Sequence, residues 1–97
     1  MTPPVPPPPA RPLTLRPDVC ATDTADGMVL LDEVTGRYWQ LNRTAALVLR
    51  SLIDGTAPPD TARVLREAHP RLTAERAVTD SAAITGELLA ARLVVPR

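Results

Sequence analysis

The sequence predicts an α+β domain of the winged helix-turn-helix kind, a three-stranded antiparallel sheet followed by three helices, and three observations carry that prediction. Apolar residues alternate with a period of two on both sides of a turn signal in MVLLDEVTGRYWQL, the mark of a β-hairpin. From Asn42 onward the apolar period lengthens to that of a helix, and the breakers Asp54-Gly55 and His69-Pro70 divide the remainder into three helical segments. The chain has 97 residues, enough for one small core and no more.

In order along the chain, Met1 to Pro12 contains Pro3-Pro4-Val5-Pro6-Pro7-Pro8-Pro9, which can form neither helix nor sheet because proline lacks an amide donor and fixes φ near the polyproline II value. It reads as a disordered proline-rich arm, and residues 13–97 as the folded domain. From Leu13 to Thr24 a weak alternation places Leu13, Leu15 and Val19 on one side, with Pro17 making this an edge or interrupted strand. Cys20 reads as a small half-buried apolar residue. Asp26-Gly27 marks a turn.

The hairpin that follows turns at Glu33-Val34-Thr35-Gly36, with Gly36 where the chain needs positive φ. Pairing Glu33 with Arg37 across a three-residue loop would point Val29, Leu31, Trp39 and Leu41 inward. Met28, Leu30 and Asp32 would then share the outer face with Tyr38 and Gln40.

Asn42 is a good N-cap for a helix from Arg43 to Leu52 or Ile53, with Ala45, Val48, Leu49 and Leu52 on its inner stripe and Leu47 turned away. Pro58-Pro59-Asp60 starts a second helix, Thr61 to Ala68, with Val64, Leu65 and Ala68 inward. His69 reads as a helix C-terminal residue. Thr73 caps the third helix, which reaches about Arg92 and carries Ala74, Ala77, Val78, Ser81, Ile84, Thr85 and Leu88 on one broad stripe of small residues, thin enough to leave a shallow groove. Leu93-Val94-Val95 packs as a tail or short strand.

The residues offer little to catalysis. One histidine and one cysteine make neither a disulfide nor a zinc site, Asp32 and Glu33 point to opposite faces of a strand, and the four glycines form no phosphate loop. The sequence therefore calls for no enzyme activity, no cofactor and no metal. Eleven basic against eleven acidic residues give no footprint for nucleic acid or an anionic membrane, and no apolar run is long enough to span a bilayer, so the expected address is cytoplasmic. A winged-helix DNA-binding regulator is the alternative of a different class, but Glu75, Asp80 and Glu87 outweigh the bases of the helix that would enter the groove. A peptide-binding module fits better: if the sheet order is first, second, third, Arg37 to Leu41 is an edge to which an extended ligand can add a strand.

Two stretches, LLDEVTGRYWQLNRTAALVLRSLIDG and HPRLTAERAVTDSAAITGELLAARLV, carry a family pattern. From about Leu13 to Val95 the chain resembles the PqqD-like family of recognition elements, which hold the leaders of ribosomally made, modified peptides (RiPPs). The DEVTG-RYWQLN segment carries the specificity, and within the family the likeness is strongest to the leader-binding proteins of lasso-peptide pathways. The resemblance implies a protein without catalysis of its own, whose partners are the precursor leader peptide, a leader peptidase and a macrolactam cyclase. It implies that the leader adds antiparallel to the strand Arg37, Tyr38, Trp39, Gln40 and Leu41 and faces Val78, Asp80, Ser81, Ile84, Thr85 and Leu88 of the last helix. Asp80 matches an acidic position of the family, although a solvated carboxylate on a helix flank accounts for it equally well. The alternative within the class is a PqqD-type helper of another RiPP pathway. The proline arm has no counterpart in the pattern.

Overall fold

The computed structural model describes residues 11–97. The strands are β1 (Leu13–Leu15), β2 (Val19–Thr24), β3 (Gly27–Asp32), β4 (Tyr38–Asn42) and β5 (Val94–Pro96). The helices are α1 (Arg43–Ile53), α2 (Thr61–Ala68), introduced by a 3₁₀ turn at Pro58–Asp60, and α3 (Ala74–Ala90). The three-stranded antiparallel sheet has the order β2-β3-β4 and is followed by the three helices, as the sequence predicts. No helix among the described residues is long and apolar enough to cross a membrane.

The predicted first strand is two strands in two sheets. Pro17 breaks it, and β1 turns away to pair antiparallel with β5, so the C-terminal tail closes over the start of the domain. That ladder runs on in both directions: the Arg16 amide donates to the Leu93 carbonyl at 3.0 Å and the Arg97 amide to the Pro12 carbonyl at 3.0 Å. The predicted arm lies outside the described residues except for Arg11 and Pro12, which are both hydrogen-bonded to Arg97.

The hairpin register differs by one residue from the sequence expectation. Asp32, not Glu33, closes the loop against Arg37: its amide donates to the Arg37 carbonyl, and its carbonyl accepts from Gly36, both at 2.8 Å. The loop has four residues, and Gly36 takes φ 76° within it. Because side chains alternate along a strand, that one-residue slip reverses β3. Met28, Leu30 and Asp32 are buried while Leu31 is exposed and Val29 half-exposed, the opposite of the expected faces. On β4, Trp39 and Leu41 do face inward, opposite Leu30 and Met28.

The cause is the Asp32 carboxylate. One oxygen accepts from the amides of Val34 (2.9 Å) and Thr35 (3.3 Å), holding the turn, and the other accepts from the Arg16 guanidinium. Arg16 also donates to the Arg92 carbonyl at 2.9 Å, where φ is 58° at the end of α3. The hairpin turn, the end of β1 and the end of α3 thus meet at one ion pair.

The core lies between the sheet's inner face and the helices. Leu13, Leu30, Leu49, Leu52 and Leu65 are wholly buried, and each such leucine stabilises by about 1.5–3 kcal/mol. Both predicted caps form, with Asn42 Oδ1 accepting from the Ala45 amide (2.8 Å) and Thr73 Oγ1 from the Arg76 amide (3.1 Å). Gly27 is required sterically, since a Cβ there would lie 1.9 Å from the Leu41 carbonyl oxygen. On α2 the inward residues are Thr61, Ala62 and Leu65, with Ala68 in solvent; on α3, Ala74 is likewise exposed. Cys20 is exposed rather than half-buried, and its thiol donates to Glu33 Oε1 at 2.7 Å. The carboxylate beside it raises the thiol's pKa, which keeps it protonated.

The Arg16 guanidinium and the turn amides hold the Asp32 carboxyl below the usual carboxylate range, against the opposing effect of its desolvation. A depressed native pKa gives stability that is complete above the unfolded-state pKa, about 4, and is lost as pH falls through the native value. In thermal melts from pH 7 to pH 2, Asp32→Asn is expected to melt roughly 5–10 °C below the parent at neutral pH. The gap should close below about pH 4; a gap that persists unchanged to pH 2 would remove the ion pair as its cause.

Candidate functional site

β4 is the last strand of its sheet, and among the described residues nothing pairs with its outer side. Its register fixes which groups are free. The Asp32 amide donates to the Arg37 carbonyl across the hairpin, which makes this a hydrogen-bonded position, and such positions alternate along an antiparallel ladder. Trp39 and Leu41 therefore spend their amides and carbonyls on β3, whereas those of Tyr38 and Gln40, and the amide of Asn42, point to the open edge.

Beside that edge a groove runs between β4 and α3 with α1 as its floor. Its first hollow, ≈ 250 Å³, is apolar on most sides and is lined by Trp39, Leu41, Ala45, Ile84, Leu88 and Leu93 among others. A second hollow of ≈ 340 Å³ shares Ala45, Ile84 and Glu87 with the first and continues to Asn42, Thr44 and Asp80. A third, ≈ 380 Å³, extends it from Thr44 and Asp80 to His69, Arg71 and Leu72. A larger hollow of ≈ 490 Å³ opens at the far end of the hairpin around Thr24, Asp26, Val29, Gln40 and Asn42; it abuts the same strand but not α3.

The sequence-predicted residues fall into three groups. Trp39, Gln40, Leu41, Ile84 and Leu88 line the first hollow together, and Asp80 lines the second and third. Arg37 precedes β4 with its guanidinium 5.5 Å from the Trp39 ring centre, a cation–π contact, while Tyr38 and Val78 are exposed and line none of these hollows. Ser81 and Thr85 are core residues, 4% and 1% exposed, facing away from the groove. Asp80 is also engaged on its own helix, 3.3 Å from the Arg76 guanidinium.

Sequence reasoning missed Thr44, Ala45, Ala83, Glu87, Ala91 and Leu93. On α3 and its C-cap the positions 80, 83, 84, 87 and 91 form one helical row, next to the core row 77, 81 and 85, with Leu88, buried yet lining the first hollow, between the two. A single broad stripe merges the two. The signal available was the difference in chemistry: the groove row includes two carboxylates, and the core row has none.

Residues 27–94 match the family model described as Coenzyme PQQ synthesis protein D (PqqD). Among solved structures, a lasso peptide synthetase B1 complexed with the leader peptide superposes with a TM-score of 0.77 and 38% sequence identity, over 88% of this chain and 99% of that one. TbiB1 in complex with the TbiA(beta) leader peptide has a TM-score of 0.75 over 84% of this chain and 93% of that one, at 18% identity, a likeness of fold. No curated protein matches the sequence.

Burial separates the core row of α3 from its exposed flank experimentally. Ser81→Asp should cost about 2–5 kcal/mol of stability because it buries an unpaired charge, whereas Val78→Asp, at a position 57% exposed, should change it by less than about 0.5 kcal/mol. The Thr85 hydroxyl is buried without a hydrogen-bond partner, so Thr85→Val should leave stability equal or raise it by about 1 kcal/mol. Denaturant titrations of the three variants measure this; a Thr85→Val variant that loses more than about 1 kcal/mol would mean the hydroxyl is satisfied.

Proposed function

The chain belongs to the PqqD family, and on that premise we propose that it is a recognition protein for the leader of a precursor peptide in lasso-peptide biosynthesis, which presents the precursor to a leader peptidase and a macrolactam cyclase. The observation that carries the proposal is the free edge of β4 alongside the groove against α3. The resemblance of the fold to two proteins solved with leader peptides supports it.

An extended leader docks by adding a strand. Main-chain bonds to Tyr38, Gln40 and Asn42 hold it whatever its sequence, and alternate side chains drop toward α3, where the hollow around Trp39, Ile84 and Leu88 takes an apolar one. The chain's work is binding and positioning, with the chemistry left to the enzymes that receive the precursor. Ordering a flexible peptide offsets part of the contact energy, so affinity for the isolated leader should lie at about 10⁻⁸–10⁻⁶ M.

The register makes the test specific. Gln40→Pro removes an amide that faces the open edge and leaves the β3–β4 ladder intact, so the protein should keep its circular dichroism spectrum and lose leader affinity by more than about tenfold in calorimetry. Core peptide should not bind the parent protein. A folded Gln40→Pro variant with parental affinity, or equal affinity of the parent for leader and core, would overturn the proposal.

A further inference from the structure

The groove meets only half of the side chains that an added strand presents. In an antiparallel ladder, residues directly opposite each other share a face of the sheet, and successive residues alternate between faces. A leader residue opposite Trp39 or Leu41 therefore points inward to the groove. One opposite Gln40 points to the outer face, where it extends the row of Thr22, Val29 and Gln40 by one strand. The next row, Thr24, Gly27 and Asn42, has no side chain at its centre. At this end of the face lies the ≈ 490 Å³ hollow, larger than any of the three along the groove, and it abuts β4 so that an added strand borders it.

The lining of the hollow says which side chain suits it. Half-exposed Val29 offers apolar surface, and Thr24, Gln40 and Asn42 offer hydroxyl and amide groups. Asp26, exposed in the turn between β2 and β3, is the one charged side chain that lines it among the described residues. The nearby carboxylate of Asp23 is already paired with Arg50, whereas Asp26 has no ion pair among the described residues. The turn is held against the end of β4, because Gly27 brings its backbone up to Leu41 and Asn42. A long basic side chain fits this lining, its methylene stem on Val29 and its charged head at Asp26, and a strand laid over the site reduces the solvent screening of that pair. Resting on the leader-recognition reading, we propose that the leader is read on both faces of β4, and that the outer hollow, with Asp26 as its specificity-determining residue, takes a lysine or arginine side chain from the leader position opposite Gln40.

The test is a titration of the parent and of Asp26→Asn, Asp26→Lys and Asp18→Lys with a synthetic leader peptide carrying Lys, Glu or Ala at each position in turn. Asp18 is an exposed carboxylate beside β2, at the other edge of the sheet, so its variant controls for net charge. The parent should prefer Lys over Glu by about three- to tenfold at one position. Asp26→Asn should abolish that preference and Asp26→Lys reverse it, at that position alone, while Asp18→Lys keeps it. Ala at the positions on either side should cost affinity in the parent and less in Ile84→Ala, because those residues face the groove. An unchanged preference in folded Asp26→Asn would overturn the proposal. So would an equal shift in Asp18→Lys, which would assign the effect to net charge, or an Asp26-sensitive position that coincides with an Ile84-sensitive one, which would place that residue in the groove. Failure of the parent to bind any of the peptides would refute the leader reading instead.

Discussion

The buried carboxylate of Asp32 is the constraint on which the rest of the structure depends. It closes the hairpin against Arg37, holds two turn amides and pairs with Arg16, which in turn holds the end of α3. Buried ion pairs contribute little net stability because desolvation offsets the attraction, but breaking one is costly, so their effect is to exclude alternatives. Here the excluded alternative is the neighbouring register. With a three-residue loop Met28 and Leu30 would face solvent, and Val29 and Leu31 would take their places against the helices.

An unpaired edge is a hazard in a soluble protein, because it is a template for any extended chain. The two edges of this sheet are treated differently. Beside β2 lie Pro17 and Asp18, and Asp23 pairs with Arg50 of α1. β4 carries no comparable block in its five residues; instead α3 stands alongside, so that a strand added there must also place side chains in the hollows next to the helix. The edge supplies generic adhesion, and the groove decides which sequences may use it.

Much of this architecture was legible in the sequence. The hairpin, the N-caps Asn42 and Thr73, all three helices and β4 as an edge follow from periodicity and from turn and capping chemistry, which act over a few residues. The features that were not legible depend on distant partners. The reversal of β3 needs Arg16, which lies sixteen positions before Asp32, and the split of the first strand needs β5 at the other end of the chain. Thr85 and Ile84 are adjacent in sequence, yet one is sealed in the core and the other lines the groove, and only the position of α1 beneath α3 separates them.

The small residues of α3 and α1 explain why a groove survives in a domain with so little core to spare. Ala77, Ser81 and Thr85 are buried on α3, and Ala46 and Ser51 on α1, side chains too short to hold the helices far apart. Close packing of the helices leaves Trp39 and Leu41 to cover the space towards the sheet, and both remain half-buried because Ala45 and Ala91 around them are also short. Larger residues at those alanines would fill the hollow and add apolar burial, but would leave no room for a ligand side chain. The part of the core that the domain leaves unfilled is the part an added strand can complete.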